Sequence, residues 1–543
     1  MAGAPWWPPN LEDSDISSVQ SQPASAAFKV VELLQSLLIA FIFALIFRGF
    51  VIESFVIPTG SMAPTLLGQH WLIESNQTGT LTAVGLGETQ PDASRLKDWQ
   101  ISRDHGIGSK QSLRTRMGDR IVVVKYLFPF FVPDRFDVVV FKNPTIPFGD
   151  SANYIKRLVG MPGESIWIVD GDIFIKAKDE DRFHVARKPL HAQDGVWQRV
   201  HDTQAEPISP DDLVRPWTGS PWLGRPEADW ETNGRGGFRC SSSNKSTLTW
   251  DQSHPGPDDW SAYNMMSPVR SRYNVSDIKI NATLVPDDAT LNAELILETR
   301  QHRFRFHIND RSAGISMWPV GSPNDIVEAS DHIDVISAGQ PVSMTCIHSD
   351  QSLQLLINGQ QAAVLDYDWT PYERLVNTVA SPSEKDRGTA AATLAHRLPP
   401  KPRIWWAFEG SPLTIPRITM DRDLYYRPST LSGMSRNWNE PTERHRDAVR
   451  MNRPAAATHP DSVVTLADDQ YFVLGDNSGR SLDGRLWGAP HPLVAAQIDD
   501  TPFVVPRELL IGKAWLVYYP APHSVTDGGM GLIPDFGEMR FIR

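Results

Sequence analysis

From residue 30 to residue 52 the chain reads VVELLQSLLIAFIFALIFRGFVI, and a run this long and apolar has few places to go. As a helix it matches a hydrocarbon core of about 30 Å. Glu32, Gln35 and Arg48 lie toward its two ends, where polar side chains reach lipid headgroups. A cleaved secretory leader would finish on a small-residue A-x-A site, but Arg48 and Glu53 stand there instead. A buried core helix seldom carries an uncharged stretch such as 33–47. Residues 28–52 are therefore read as a retained single-pass transmembrane anchor, preceded by a mobile, Pro- and Ser-rich tail over 1–27. Lys29 and Arg48 flank the run one on each side, so charge does not orient it.

The rest of the 543 residues has room for about three domains. A net charge of −12 disfavours a general nucleic-acid binder, which would carry a basic excess. Cys240 and Cys346 stand far apart without a C-x-x-C, which excludes a disulfide framework, a zinc ribbon and an iron–sulfur site. Whether the two pair with each other stays open. No G-x-x-x-x-G-K-[ST] occurs, so a standard P-loop is absent. The 43 prolines and 18 tryptophans suit a β-rich, loop-rich architecture better than a helical bundle.

After the anchor comes ESFVIPTGSMAPTLL: residues 54–57 are strand-like, Pro58 and Gly60 force a turn, and Ser61 follows it. Residues 68–116 are polar and Gly-rich and predict an inserted loop or subdomain. Runs at 121–126, 137–141 and 154–159 predict strands. In SIWIVDGDIFIK, residues 165–176, Asp170 and Gly171 sit between two alternating runs, the signature of a type I′ hairpin.

The composition then shifts. Residues 179–463 hold 11 of the 18 tryptophans, both cysteines, and short strand-like segments at 277–284, 293–299, 303–308, 342–348 and 353–357. Asn358 and Gly359 turn the last of these into 360–365, and 416–426 closes the set. Such spacing predicts an antiparallel β-sandwich, with a surface loop over 380–402. The earlier character returns at 470–474 and 511–519, around a turn-rich loop at 475–488. The predicted organisation is a mainly β core in two parts, 53–178 and 464–520, interrupted by the sandwich at 179–463 and followed by a tail at 521–543. Catalysis should not need the sandwich, because insertions between adjacent strand ends are tolerated at a surface.

Chemistry centres on Ser61 and Lys156. A serine hydroxyl is a weak nucleophile until a base takes its proton, and no histidine lies in the segments around these two residues. A lysine can serve if burial lowers its pKa from about 10.4, and Tyr154, Ile155 and Leu158 supply apolar neighbours. Singly, a serine after a turn is an ordinary turn residue and a strand lysine is ordinarily solvated. The combination is more specific: the Ser61 box, GDRIVVVKY at 118–126, YIKRLVGMPGESI at 154–166 and LGDNSGRSLDGRLWG at 474–488 follow one another behind a membrane span.

Together these segments resemble bacterial type I signal peptidases of the S26 type, over roughly 53–68, 117–178 and 465–520. The resemblance implies a β catalytic core that uses Ser61 as nucleophile and Lys156 as general base. It implies that Thr59 and the Ser61 N–H form the oxyanion site, with Thr59 standing where many members have serine. Ser481 would orient the lysine amine, Asp483 and Arg485 would form an ion pair beneath the site, and Asp476 and Asn477 match the Gly-Asp-Asn start of the last box. Ser478 departs from the family's arginine, which puts a peripheral contact in doubt. Phe55, Ile57, Pro58, Met62, Tyr154 and Ile155 would line the substrate cleft. The implied function is cleavage of secretory preproteins after an Ala-x-Ala motif, without metal or cofactor. The implied location is the outer side of the cytoplasmic membrane, in contact with lipid.

Two other readings stay open: a Ser–Lys peptidase for a few dedicated precursors, and a membrane-tethered binding protein on a peptidase scaffold. The sandwich has a weak similarity to concanavalin- and laminin-G-like domains. It is read as a structural insertion, with a glycan or protein ligand as the alternative.

Overall fold

β-Branched and aromatic residues alternate with polar ones over most of the chain, and the computed structural model is accordingly mainly β. It describes residues 26–74, 81–86, 114–126, 132–149, 152–205, 220–233, 236–264, 272–309, 311–332, 336–431, 452–523 and 533–543. The expected tail up to residue 25, most of the 68–116 insertion and part of the 521–543 tail lie outside the described residues. The chain divides into two units, one ending at Glu53 and the other beginning at Ser54.

In the first unit, the helix Ala26–Phe50 contains an apolar stretch, Lys29–Phe50, with a mean hydropathy of 2.5. Its apolar side chains are exposed all round, from Val30 to Phe50. A helix hydrophobic and exposed on every face fits a lipid environment, and this one is long enough to cross a bilayer.

The second unit begins with an eight-stranded sheet assembled from distant parts of the sequence. Its order is Ile52–Val56, Arg120–Lys125, Leu510–Tyr519, Val138–Lys142, Asn153–Gly160, Gln470–Leu474 and Val505–Pro506, with Arg540–Phe541 also pairing to Leu510–Tyr519. All its recorded pairings are antiparallel. A second sheet carries the expected hairpin, Ser165–Val169 and Asp172–Lys176. Its turn residues Asp170 and Gly171 both have positive φ, 49° and 87°, as a type I′ turn requires. A side chain at Gly171 would meet the Tyr425 ring at 2.3 Å, so both space and φ favour glycine there.

Two antiparallel sheets of eight and seven strands make the sandwich. Ile278–Pro286 shows the alternation that builds it: Ile278, Ile280, Ala282 and Leu284 point inward and intervening residues are half-exposed. They share one core with Leu295 and Leu297 of the facing sheet, and with the buried Trp250 and Trp406. Cys240 and Cys346 are buried free thiols in one sheet. Two strands separate theirs, so at least about 14 Å lies between them, beyond the reach of a disulfide. The closing strand is Leu413–Arg422 rather than 416–426.

The span 380–402 contains two short helices, Pro382–Asp386 and Ala391–Leu394, rather than only loop. Ser381 and Glu384 form a capping box around Pro382, which starts the first helix. The preceding helix, Pro371–Val379, also begins with a capping box, from Thr370 and Glu373.

Residues from Ser54 onward form one compact unit, in which the sandwich packs against the core. Leu375 and Val376 of Pro371–Val379 pack against Trp167, Val169 and Phe174 of the core hairpin. Beside them lies a buried ionic cluster. Arg374 binds Asp170 at 2.9 Å and Asp172 at 2.7 Å, while Arg300 binds Asp170 at 3.0 Å and Asp277 at 2.6 Å. Lys188 bridges Asp350 at 2.6 Å and Asp423 at 3.0 Å. Burial, with Asp277 close by, pushes the Asp172 carboxyl well up, whereas Arg300 and Arg374 overcome the same desolvation at Asp277 and hold it down.

Removing one partner of a buried ion pair strands the other charge, at a cost of about 3–5 kcal/mol. Arg374→Ala should therefore lower stability by that order, because it leaves Asp170 and Asp172 short of a cation. Thermal melts of the purified protein in detergent, followed by tryptophan fluorescence, measure this. An unshifted melt would show that the cluster does not hold the sandwich to the core.

Candidate active site

Pro58 and Gly60 turn the chain out of the Ile52–Val56 strand, and Ser61 opens the next turn. Asn153–Gly160 carries Lys156 to the same place. Lys156 is 3% exposed, and its Nζ lies 2.8 Å from Ser61 Oγ and 2.8 Å from the Ile155 carbonyl oxygen, donating to both. The Tyr154 ring centroid is 5.3 Å from the same nitrogen. Burial pushes the Lys156 pKa down to about 8 against the pull of Asp483 and Asp476, which favour the ammonium. A neutral amine has two N–H bonds and one lone pair. With one N–H on Ile155 O, the lone pair is free to take the proton of Ser61.

The loop after Gln470–Leu474 closes the site from the other side. Asp483 and Arg485 are both wholly buried and pair at 2.8 and 2.9 Å through two parallel bonds. The Gly475 N–H donates to the same carboxylate at 3.0 Å. Burial raises the Asp483 pKa, but Arg485 outweighs it and holds the group below its usual range. Ser478 accepts bonds from Arg485 at 2.7 Å and from the Arg427 N–H at 2.8 Å. The departure at Ser478 is thereby built into a contact with residues just beyond the sandwich's last strand. Ser481 is buried, with its Oγ against Gly475, where a Cβ would fall 2.1 Å away. The two bonds of Lys156 Nζ go to Ser61 and Ile155, so Ser481 does not share in them.

Asp476 is held by Arg157 through both carboxylate oxygens, at 2.8 and 2.6 Å, and accepts a 2.6 Å bond from Thr65. Arg157 has no role in the sequence reading. The available signal was a second cation beside Lys156 in an apolar strand, where neighbouring side chains face opposite ways. The Asn477 N–H donates to Ser61 O at 3.0 Å, and its side chain donates to Gly60 O at 2.8 Å.

The expected cleft residues divide. Pro58 and Thr59 are exposed, and Tyr154 is half-buried beside the lysine. Phe55 and Ile155 are partly buried against one hydrophobic cluster. Met62 and Ile57 are buried in that cluster, at 0% and 2% exposed. Both side chains are part of the packed interior next to the Ser61 turn. No group of three or more His, Cys, Asp or Glu side chains is placed to hold a metal among the described residues.

One edge matters for a peptide ligand. Gln470–Leu474 pairs with Asn153–Gly160 only from Arg157 to Gly160. Among the described residues, no strand lies beside the Tyr154–Lys156 stretch on that side.

The geometry agrees with what the chain is similar to. A family model described as "Signal peptidase, peptidase S26" matches residues 30–213 and 417–519. Signal peptidase I of Rickettsia rickettsii (strain Sheila Smith) is 30% identical over 142 residues, 26% of this chain and 41% of that protein. Signal peptidase I of Buchnera aphidicola subsp. Schizaphis graminum (strain Sg) is 29% identical over 133 residues, 24% of this chain and 30% of that protein. The chain thus spans less than half the length of these curated relatives. Among solved structures, the catalytic domain of an endo-1,3-beta-glucanase (laminarinase) from Thermotoga petrophila RKU-1 is 9% identical. That match covers 42% of this chain and 98% of that one with a TM-score of 0.25, a score too low to establish a shared fold.

The buried amine yields a stability test. At neutral pH Lys156 carries a charge in the folded state that burial disfavours. Its folded pKa of about 8 lies below the ordinary 10.5, so this cost is full below the folded value and fades as pH rises to the unfolded one. Lys156→Met should gain about 3 kcal/mol of stability at pH 7, with most of the gain gone by pH 10. Urea unfolding at the two pH values checks this, and an equal effect at both would show that the lysine is not desolvated.

Proposed function

The chain belongs to the signal peptidase family, peptidase S26, and on that premise we propose that it is a membrane-anchored serine endopeptidase that removes signal peptides from secretory preproteins. The observation that carries the reading is the 2.8 Å contact between Ser61 Oγ and a buried Lys156 amine. Ser61 attacks the scissile carbonyl as Lys156 takes its proton. Lys156 then gives that proton to the leaving amine and takes one from water, which hydrolyses the acyl-enzyme. The Ser61 N–H and the Thr59 hydroxyl are the proposed donors to the developing oxyanion.

The substrate lies extended, adding a strand to the open stretch at Tyr154–Lys156. Phe55, Pro58 and Tyr154 border it, and small side chains are selected before the cut. The catalytic unit works on the outer side of the cytoplasmic membrane, where precursors present their cleavage sites.

The test is to incubate the detergent-solubilised protein with an Ala-x-Ala precursor and locate the cut by mass spectrometry. One cut after the second alanine is expected, with Ser61→Ala and Lys156→Ala each lowering turnover by several orders of magnitude while remaining folded. Turnover near the parental rate in Lys156→Ala would overturn the base assignment. The rate should also rise with pH, because the reactive amine forms as the ammonium loses its proton, with a midpoint near 8. A midpoint at the free-lysine value would separate Lys156 from the rate-determining proton transfer.

A further inference from the structure

The sandwich reaches the nucleophile through one short turn. Ala262–Asn264 lies between two sandwich strands, Ser246–Trp250 and Ile278–Pro286, yet its side chains are buried against the Ser61 loop. Tyr263 is 4% exposed, and its ring fills the space beside Gly60, where a Cβ would fall 2.0 Å from the ring. Asn264 is 7% exposed and forms a closed carboxamide pair with Asn477: Asn264 Nδ2 donates to Asn477 Oδ1 at 2.6 Å, and Asn477 Nδ2 donates to Asn264 Oδ1 at 2.8 Å. The second N–H of Asn477 Nδ2 donates to Gly60 O at 2.8 Å.

Gly60 C=O and Ser61 N–H belong to one planar, trans peptide group, so fixing the direction of the oxygen fixes the opposite direction of the N–H. A primary amide nitrogen has two hydrogens. When Asn264 takes one, the other is left aimed at Gly60 O. The Ser61 carbonyl is held independently by the Asn477 N–H at 3.0 Å.

We propose that Asn264, a residue of the inserted sandwich, is a positioning residue for catalysis: through Asn477 it sets the plane of the Gly60–Ser61 peptide and so aims the Ser61 N–H at the oxyanion. The proposal rests on the peptidase reading above. It means that the insertion completes the site, contrary to the expectation that catalysis does without it. The benefit of an oxyanion donor depends on where it points, so loss of the clamp acts on turnover and not on substrate affinity. Tyr263 supports the same turn by occupying the notch at Gly60.

The test uses the full chain in detergent and an Ala-x-Ala peptide, with Asn264→Ala, Asn477→Ala, the double variant and Ser61→Ala. For Asn264→Ala, kcat should fall by about tenfold or more, with KM within about twofold and the midpoint of the rate–pH profile unchanged, since Lys156 is untouched. Because Asn264 acts through Asn477, the double variant should be no slower than Asn477→Ala. Parental kcat in Asn264→Ala, or losses that multiply in the double variant, overturns the proposal. Should the alanine variant not fold, Asn264→Leu serves. Its side chain keeps the size but neither accepts from Asn477 Nδ2 nor donates to Asn477 Oδ1. The same fall in kcat is expected, and parental kcat overturns the proposal. If Ser61→Ala cleaves as fast as the parent, the peptidase reading itself fails. If Ser61→Ala is inactive while Asn264→Ala runs at the parental rate, only this inference fails.

Discussion

Arg157 and Asp476 are 319 residues apart in sequence and meet with both side chains wholly withdrawn from water. Neither charge is tolerable there alone, and the double-bonded geometry is what makes the pair acceptable. The strand that carries Lys156 is thereby locked to the loop that carries Asn477, Ser481 and Asp483. The same carboxylate accepts from Thr65, so the turn behind Ser61 is drawn into the lock. Ser61, the Lys156 amine and the loop beneath them come from three separated segments, and this one anion touches or adjoins all of them.

The amine's environment follows from that enclosure. Asp476 and Asp483 would each stabilise an ammonium, yet burial outweighs them. Both carboxylates are paired with arginines, whose positive charge opposes their field at Lys156. The arginines thus shape the lysine's chemistry without touching it.

Local pattern made much of this legible. The DG and NG hairpins, the alternating inward residues of Ile278–Pro286 and the order of the four boxes needed only neighbours in sequence. Strands such as Ser312–Pro319 escaped, because SAGISMWP sets glycine and serine between its core-facing Ala313, Ile315 and Met317 and so weakens the alternation. Arg403–Glu409 lies behind a proline-rich approach that reads as loop. The contact between Ser61 and Lys156 was legible through its flanks, but the burial of Met62 and Ile57 was not. An apolar residue beside a cleft and one beneath it look identical until the turn is built. Arg157, Asn264 and Tyr263 were invisible for another reason: each depends on a partner that only the tertiary fold supplies. The 380–402 span shows the reverse failure, since its Ser-Pro-Ser-Glu capping box was written in the sequence and hidden by a loop-like composition.

The Leu510–Tyr519 strand runs between Arg120–Lys125 and Val138–Lys142, in the interior of its sheet. On the ribosome it emerges after the whole sandwich. Until then those two strands show open edges to a gap that nothing else in the sheet fills. The sandwich, whose pairings lie within a narrower span of sequence, has every contact it needs much earlier. The newborn chain therefore passes through a period with a folded middle and an unfinished core. During that period Ser61 and Lys156 already exist, while their sheet still lacks its centre. A site that is assembled last, and from both ends of its sheet, stays incomplete during most of the chain's synthesis.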